Sequence, residues 1–201
     1  MIPTRVLIAY ASSHGSTREV ADRIGAVLRA RGLDVSVMPA RDVGHLRRLD
    51  AVILGGALYT GKLHREARSF LKRHEEDLAR RALAVFALGP RTLEPADVAA
   101  SRTQLDRALG RFPKLAPLAV EVFGGVIDPS TLRFPFSRMP ASDARDWDAI
   151  EAWARDVADR FAAEARAVPG SVASGRVPAA SPPVPIDPAD AELRTRAAGM
   201  P

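Results

Sequence analysis

Short apolar runs recur along this chain, and segments with a helical period separate most of them. Most of the five runs are apolar at nearly every position, and they lie at residues 6–10, 35–38, 51–54, 83–88 and 118–123. Strands covered on both faces have this composition, whereas half-exposed strands alternate. Helical periodicity marks residues 17–31, 64–80, 95–110 and 146–163. The alternation predicts an α/β fold with a mostly parallel sheet and helices on both faces.

The chain divides into a folded part and a tail of different composition. The connection over residues 39–50 leaves little room for a helix between the second and third strands. From about residue 166 the sequence is rich in Pro, Ala, Ser and Gly and has no apolar period. Such a segment buries too little apolar surface to offset the entropy lost on ordering. We therefore predict one domain over residues 1–165 and a disordered tail over residues 166–201.

The absence of cysteine limits the chemistry available to the chain's own side chains. It removes disulfides, thiol redox chemistry, iron–sulfur clusters and cysteine-ligated zinc, so that electron chemistry would belong to a bound organic cofactor. His45 and His74 lack metal-ligand spacing, so we expect no metal. We interpret residues 74–77, His-Glu-Glu-Asp, as a solvated helix end.

The net charge of +5 raises the question of an anionic partner. The arginines are spread along the helical segments beside Asp and Glu, a pattern typical of solvated helix faces. Aromatic residues do not interleave with the basic ones, so we expect no nucleic-acid partner. No run approaches the 18 or so apolar residues of a membrane span, and the N-terminus lacks the layout of a signal peptide, which predicts a cytoplasmic location.

A hydroxyl-rich loop, Ser-Ser-His-Gly-Ser-Thr, joins the first strand to the first helix. Gly15 lets the backbone approach an anion, and Ser16 with Glu19 has the spacing of a capping box. Free N–H groups and the helix dipole then favour a negative group. The loop lacks the lysine of a triphosphate loop and the GxGxxG of a dinucleotide loop. It suits a terminal monophosphate; the alternative is a capped turn that binds nothing.

The same stretch resembles the phosphate-binding signature of flavodoxins. The matching positions are Ile8, Tyr10, Ser12, Gly15, Thr17, Ala21 and Ile24. The resemblance implies a doubly wound sheet of five parallel strands in the order 2-1-3-4-5, with the 5′-phosphate of FMN in the first loop. It also implies that the loops after the third and fourth strands bracket the isoalloxazine ring. The implied FMN-binding residues are Ser12, Ser13, His14, Gly15, Ser16, Thr17, Gly56, Tyr59, Thr60, Gly61, Gly89 and Arg91.

Individual residues of that set have alternative interpretations. Gly61 or Gly56 would supply the flexible peptide at flavin N5. Tyr59 would stack on the ring or lie as a surface tyrosine, and Arg91 would stabilise reduced flavin near N1 or cap a helix. His14 would touch the phosphate or face solvent. Residues 88–95 contain no aromatic residue, which would leave one face of the ring open to a substrate.

Several later segments resemble the menaquinone-dependent protoporphyrinogen oxidases within this family. They are the Gly-rich loop with His64, the helix to His74, Phe-Gly-Gly-Val-Ile-Asp-Pro and residues 143–158. The resemblance implies an FMN-dependent oxidoreductase acting on a porphyrinogen or a quinone, with peripheral membrane contact. His64 and Arg91 are candidate catalytic residues, although His64 also suits a plain helix start. The alternatives are an electron-carrier flavodoxin and a flavin-free interaction domain.

One connection departs from that group, because residues 126–145 are shorter than the insertion found there. Within it, Arg133 and Arg138 interleave with Phe134 and Phe136. This segment would close an apolar, cation-rimmed pocket for a flat carboxylated substrate or a quinone, or contact an anionic membrane surface. The alternative is a connection whose two phenylalanines cover the core.

Overall fold

Five parallel strands form the centre of the computed structural model, which describes residues 4–59, 61–90, 92–127, 129–131 and 140–167. The strands are β1 (Arg5–Ala11), β2 (Asp34–Pro39), β3 (Ala51–Tyr59), β4 (Lys62–Leu63), β5 (Ala82–Leu88), β6 (Ala119–Phe123), β7 (Val126–Ile127) and β8 (Ser142–Asp143). The helices are α1 (Ser16–Ala30), α2 (Arg65–Leu78), α3 (Pro95–Leu109) and α4 (Trp147–Ala167). All nine predicted elements are present, although β3 and α4 extend beyond their predicted ends.

The main sheet has the order β2-β1-β3-β5-β6, and every neighbouring pair on this path is parallel. This confirms the predicted order, because β4 is a short antiparallel partner at the end of β3. β7 and β8 form a separate two-stranded sheet. The winding reverses direction between β1 and β3. In open α/β sheets ligands bind beyond the carboxyl ends of the strands at this point.

Alternate residues of the strands enter two separate cores, one on each face of the sheet. Val6 and Ile8 of β1 belong to the core covered by α1 and α4, while Leu7 and Ala9 belong to the core covered by α2 and α3. Both sets are almost completely buried. Burying a large apolar side chain stabilises a fold by about 1.5–3 kcal/mol, so continuous apolar strands are what this two-sided cover requires.

The β2–β3 connection contains no helix, as the sequence predicts, and α2 holds it in place. Arg73 Nη2 donates to the carbonyl oxygen of Ala40 at 3.0 Å, and its Nε donates to Nε2 of His74 at 3.2 Å. His74 in turn hydrogen-bonds to the backbone of Val43 and lies against Phe70, with ring centroids 4.9 Å apart. Two neighbouring residues of one helix therefore fix the first part of this connection, from Ala40 to Val43.

The interpretation of His74 as part of a solvated helix end is wrong, because its side chain is only 4% exposed. Burial lowers the pKa of the imidazole, and the adjacent Arg73 guanidinium lowers the pKa further. Since Nε2 accepts from Arg73, the partners place the proton of the neutral ring on Nδ1, toward Val43.

Two predicted segments lie outside the described residues. They are residues 132–139, which include both arginines and both phenylalanines of the proposed pocket-closing segment, and the chain beyond Ala167. Within the described parts of the chain, no helix combines the length and the apolar character that crossing a membrane requires.

We expect His74 to make the stability of the domain depend on pH. In the unfolded chain it titrates near 6.5, and in the folded chain its pKa is lower, so the unfolded state binds more protons as the pH falls below 6.5. The free energy of unfolding therefore decreases toward acid. His74→Asn removes this titration, and the difference in Tm between about pH 7.5 and 5.5 should shrink. His45→Asn, at an exposed loop position, is the control and should keep the wild-type difference. An unchanged pH difference in His74→Asn would contradict the assignment.

Candidate functional site

The carboxyl ends of β1 and β3 bring two predicted loops together. His14 in the loop after β1 lies edge-on to Tyr59 at the end of β3, with ring centroids 6.4 Å apart. Tyr59 lies 6.1 Å from the ring of His64, which precedes α2. Ser13 Oγ and His64 Nε2 are 3.0 Å apart. The structure therefore brings the loop after β1 into contact with Tyr59 and His64 after the parallel part of β3.

The loop after β1 turns through Gly15, which has a φ of 90°. This left-handed conformation is open to glycine at little cost, whereas a residue with a Cβ would be strained. The N–H of Gly15 donates to Ser12 Oγ at 2.9 Å, which stabilises the turn. Helix α1 then begins at Ser16, and no side chain caps it. Its first N–H groups consequently have no partner among the described residues and face the end of the sheet.

The predicted capping box between Ser16 and Glu19 is wrong. Ser16 is already the first helical residue, and Glu19 instead accepts a hydrogen bond from Arg145 Nη1 at 2.6 Å. Arg145 also binds Asp143 through Nε at 2.9 Å and Nη2 at 2.6 Å, and lies over the Trp147 ring at 4.8 Å. The Asp143 hydrogen bonds, opposed by burial, raise the pKa of Arg145, as does Glu19. The acidic side chain of the first turn is thereby drawn away from the helix start.

Thr17 provides the most direct test of whether this loop suits a phosphate. Its side chain is fully buried, and its Oγ1 has no hydrogen-bond partner among the described residues. A buried hydroxyl without a partner costs about 1–3 kcal/mol. The uncapped N–H groups of α1 lie at the same helix end and favour an anion. The residues present therefore fit a phosphate group, which would accept hydrogen bonds from the N–H groups and from Thr17.

His64 has a defined structural role that its sequence position only partly predicts. Its Nδ1 accepts the N–H of Glu66 at 3.2 Å, so His64 is the N-cap of α2. The proton of the neutral ring is therefore on Nε2, which faces Ser13. Burial lowers the pKa of His64, an effect that the charge of Glu66 opposes.

Tyr59 shares Ser13 with His64. Burial raises the pKa of the Tyr59 hydroxyl, and its hydrogen bond with Ser13 acts in the opposite direction. Ser13 thus joins an aromatic residue after β3 to the helix-capping histidine before α2. No spacing in the sequence signals this link, because Ser13 and His64 are separated by 51 positions.

The remaining predicted residues occupy different surroundings. Gly56 is inside β3, where a Cβ would approach Leu63 Cδ1 to 2.8 Å, so close packing explains this glycine. Gly61 lies in the exposed turn between β3 and β4 with a φ of 78°, as a flexible peptide requires. Gly89 follows β5, where a Cβ would come within 3.0 Å of Leu58. Thr60 and Arg91 lie outside the described residues.

Comparison with known proteins matches this architecture to one family. Residues 7–139 match the family described as "Flavodoxin domain". Oxidised Flavodoxin 2 from Bacillus cereus is 25% identical with a TM-score of 0.54, over 78% of this chain and 99% of that chain. A flavodoxin from the domain Archaea is 14% identical with a TM-score of 0.54, over 79% of this chain and 99% of that chain.

A larger protein contains a similar fold. Rubredoxin oxygen:oxidoreductase from the anaerobe Desulfovibrio gigas is 16% identical with a TM-score of 0.53, over 81% of this chain and 37% of that chain. At this identity the likeness shows the fold alone. The sequence matches no curated protein.

Replacing Thr17 by Val should have opposite effects on the empty protein and on cofactor binding. Val removes a buried hydroxyl without a partner, so Tm without FMN should stay equal or rise. FMN should bind more weakly by about 1.5–3 kcal/mol, the range for a hydrogen bond to a charged group. Calorimetry with FMN and riboflavin measures this, and riboflavin affinity should not change. Thr103→Val, on the exposed face of α3, is the matched control. Equal binding of FMN and riboflavin by the wild type would refute the phosphate site.

Proposed function

This chain belongs to the flavodoxin-domain family, and from that premise we propose that it is an FMN-dependent oxidoreductase which passes electrons between an organic substrate and an acceptor. Its cofactor is FMN. When bound, FMN supplies a hydride acceptor at N5, which the side chains of a cysteine-free chain cannot provide. The residues of the chain bind the phosphate, orient the ring and leave access for the substrate.

The observation that carries the proposal is that Tyr59 is the only Phe, Tyr or Trp in residues 55–64 and 88–95, the two segments expected to bracket the flavin ring. Tyr59 is 40% exposed at the end of β3. Residues 88–95, after β5, contain no aromatic side chain to cover a second face of the ring. A ring stacked on Tyr59 therefore keeps one face open, which suits direct contact with an organic molecule.

We assign His64 and Ser13 to the positioning of Tyr59. Ser13 hydrogen-bonds to both, and His64 is itself fixed because its Nδ1 caps α2. The ring of His64 can exchange a proton only through Nε2, where Ser13 lies between it and Tyr59. In this arrangement the histidine holds a proton on the side that faces the loop after β1.

For the substrate we propose a quinone or a porphyrinogen, with contact to a membrane surface. The support is the likeness of several segments to the menaquinone-dependent protoporphyrinogen oxidases and the net charge of +5, which favours anionic partners. Flat ring systems of this kind match the open face of the flavin.

A second candidate is an electron carrier that docks to redox proteins. It is favoured by the match to Flavodoxin 2 from Bacillus cereus, which this chain covers over 99% of its length. The net charge of +5 counts against it, because carriers of this fold are commonly acidic.

Reduction and reoxidation of the FMN-loaded protein distinguish the two candidates. For the oxidoreductase, titration with dithionite should show uptake of two electrons in one step. The reduced flavin should then be reoxidised when it is mixed with 1,4-naphthoquinone. The quinone then gains two electrons and two protons to give the hydroquinone. Uptake in two well-separated steps, together with no reaction with the quinone, would support the carrier instead.

Replacing Tyr59 tests the orientation of the ring independently of the phosphate. Tyr59→Ala should weaken FMN and riboflavin by the same amount, about 0.5–1.5 kcal/mol, because stacking involves only the ring. Tyr59→Phe keeps the ring and should retain affinity, while losing the hydrogen bond with Ser13. Flavin fluorescence quenching measures both. If Tyr59→Ala binds riboflavin like the wild type, Tyr59 does not stack on the flavin.

A further inference from the structure

A group of positive charges without a described carboxylate partner lies on one side of the sheet. Between α1 and α4, Arg23 meets Glu151 at 3.0 Å and Arg31 meets Asp159 at 2.6 Å. On the side of α2 and α3, six cations have no described carboxylate within 4.0 Å: Lys62, Arg65, Arg68, Lys72, Arg107 and Arg111. The interpretation of the arginines as mixed with Asp and Glu on solvated helix faces fits Arg80 and Arg102 on this side but does not describe these six cations.

Three carboxylates that are close in sequence to these six cations are engaged elsewhere. Glu66 lies 3.8 Å from Arg41, and Asp106 lies 2.9 Å from Arg102. Glu76 pairs with Lys114. Six cations held close together without a counter-charge repel one another, which a bound anion would relieve.

The unpaired cations line a groove between α2, α3 and β4, which we call the α2–α3 groove. Its inner cavity, of about 30 Å³, is lined by Lys62, Arg68, Gln104, Arg107 and Arg111. An outer cavity of about 280 Å³ is lined by Arg65, Arg68, Ser69, Lys72, Arg111 and Phe112. Arg68 and Arg111 line both cavities, so the two cavities are neighbours.

The side chain of Arg68 is fixed by one hydrogen bond and has further donors for an anion. Its Nε donates to the carbonyl oxygen of Leu63 at 3.0 Å, which fixes the guanidinium, while its Nη groups have no hydrogen-bond partner among the described residues. On α2, Arg65, Arg68 and Lys72 follow one helix face, since they are spaced three and four residues apart. A fixed guanidinium beside free cations gives planar, charge-assisted recognition of an oxyanion.

The inner end of the groove is next to the proposed flavin position. Gly61 lines the inner cavity, and Lys62 is the strand partner of Tyr59. An anion bound at Lys62 therefore lies beside Tyr59, the side chain on which we place the flavin ring.

We propose that the α2–α3 groove is a second anion site, separate from the phosphate loop, which binds the oxyanion group of the small molecule that exchanges electrons with FMN. This rests on the proposed function. The oxyanion is a carboxylate, phosphate or sulfonate held in the inner cavity. The organic body extends from the inner cavity past Lys62 toward the flavin ring beside Tyr59, where it can exchange electrons with FMN.

Pyrophosphate binding to the FMN-loaded protein tests the site itself. The phosphate loop is then filled by FMN, so any heat of binding reports a different site. The variant Arg107→Gln/Arg111→Gln should bind pyrophosphate at least about tenfold more weakly, because two charge-assisted contacts are lost. The control Arg80→Gln/Arg155→Gln removes the same charge from exposed positions elsewhere and should bind like the wild type. FMN content and Tm confirm that both variants are folded.

Two quinones that differ by one charged group test whether the anion belongs to the redox substrate. We compare reoxidation of reduced protein by 1,4-naphthoquinone and by its 2-sulfonate. The groove variant should raise the KM for the sulfonate at least about tenfold and leave the KM of the neutral quinone within about twofold. If the groove binds only a free phosphate, pyrophosphate should still bind in the calorimeter, and the groove variant should change the KM of neither quinone.

The outcomes separate the two proposals. Equal pyrophosphate affinity in wild type and groove variant overturns the anion site, and equal effects on both quinones overturn its link to the substrate. Failure of the neutral quinone to reoxidise wild-type FMN overturns the proposed oxidoreductase function. In that case the calorimetry still decides whether the anion site exists.

Discussion

The way α1 begins is the constraint on which the site depends. A left-handed Gly15 lets the chain leave β1 and enter the helix with no capping side chain, and Arg145 holds Glu19 away from the helix start. The positive end of the helix and the buried hydroxyl of Thr17 are thus left for an anion. Because a ligand that binds only the folded state stabilises it, cofactor affinity and domain stability are linked through these few groups.

The two faces of the sheet differ in the contacts that their positively charged side chains make. Both are covered by helices rich in arginine. Two ion pairs link α1 to α4, whereas several cations of α2 and α3 line a groove with no described carboxylate within 4.0 Å. Exposed ion pairs contribute little to stability, so the difference matters less for the fold than for the potential around the site.

The sequence alone predicts those structural features that depend on residues close together in the chain. Continuous apolar strands and helical periods predict the element order that the structure shows, and the loop from Ser12 to Thr17 predicts a phosphate site at the start of α1. The predicted capping box is wrong because the N-cap is Gly15 and not Ser16, which places Glu19 one position too far along the helix. His74 was misjudged because charged neighbours surround it in the sequence, while its real surroundings are Phe70 and a distant connection. The Ser13–His64 link and the groove likewise arise from tertiary contacts, which no spacing reveals.

The contact between Arg145 and Glu19 has a consequence for biosynthesis. The two residues are 126 positions apart, and at about 5–20 residues per second their synthesis is separated by roughly 6–25 s. During that interval the phosphate loop is already made, but Glu19 lacks the cation that its carboxylate contacts in the finished domain. Helix α4, which covers one of the two cores, also follows Arg145 in the chain. The surroundings of the α1 start and one face of the sheet are therefore completed only when the last part of the domain has been made.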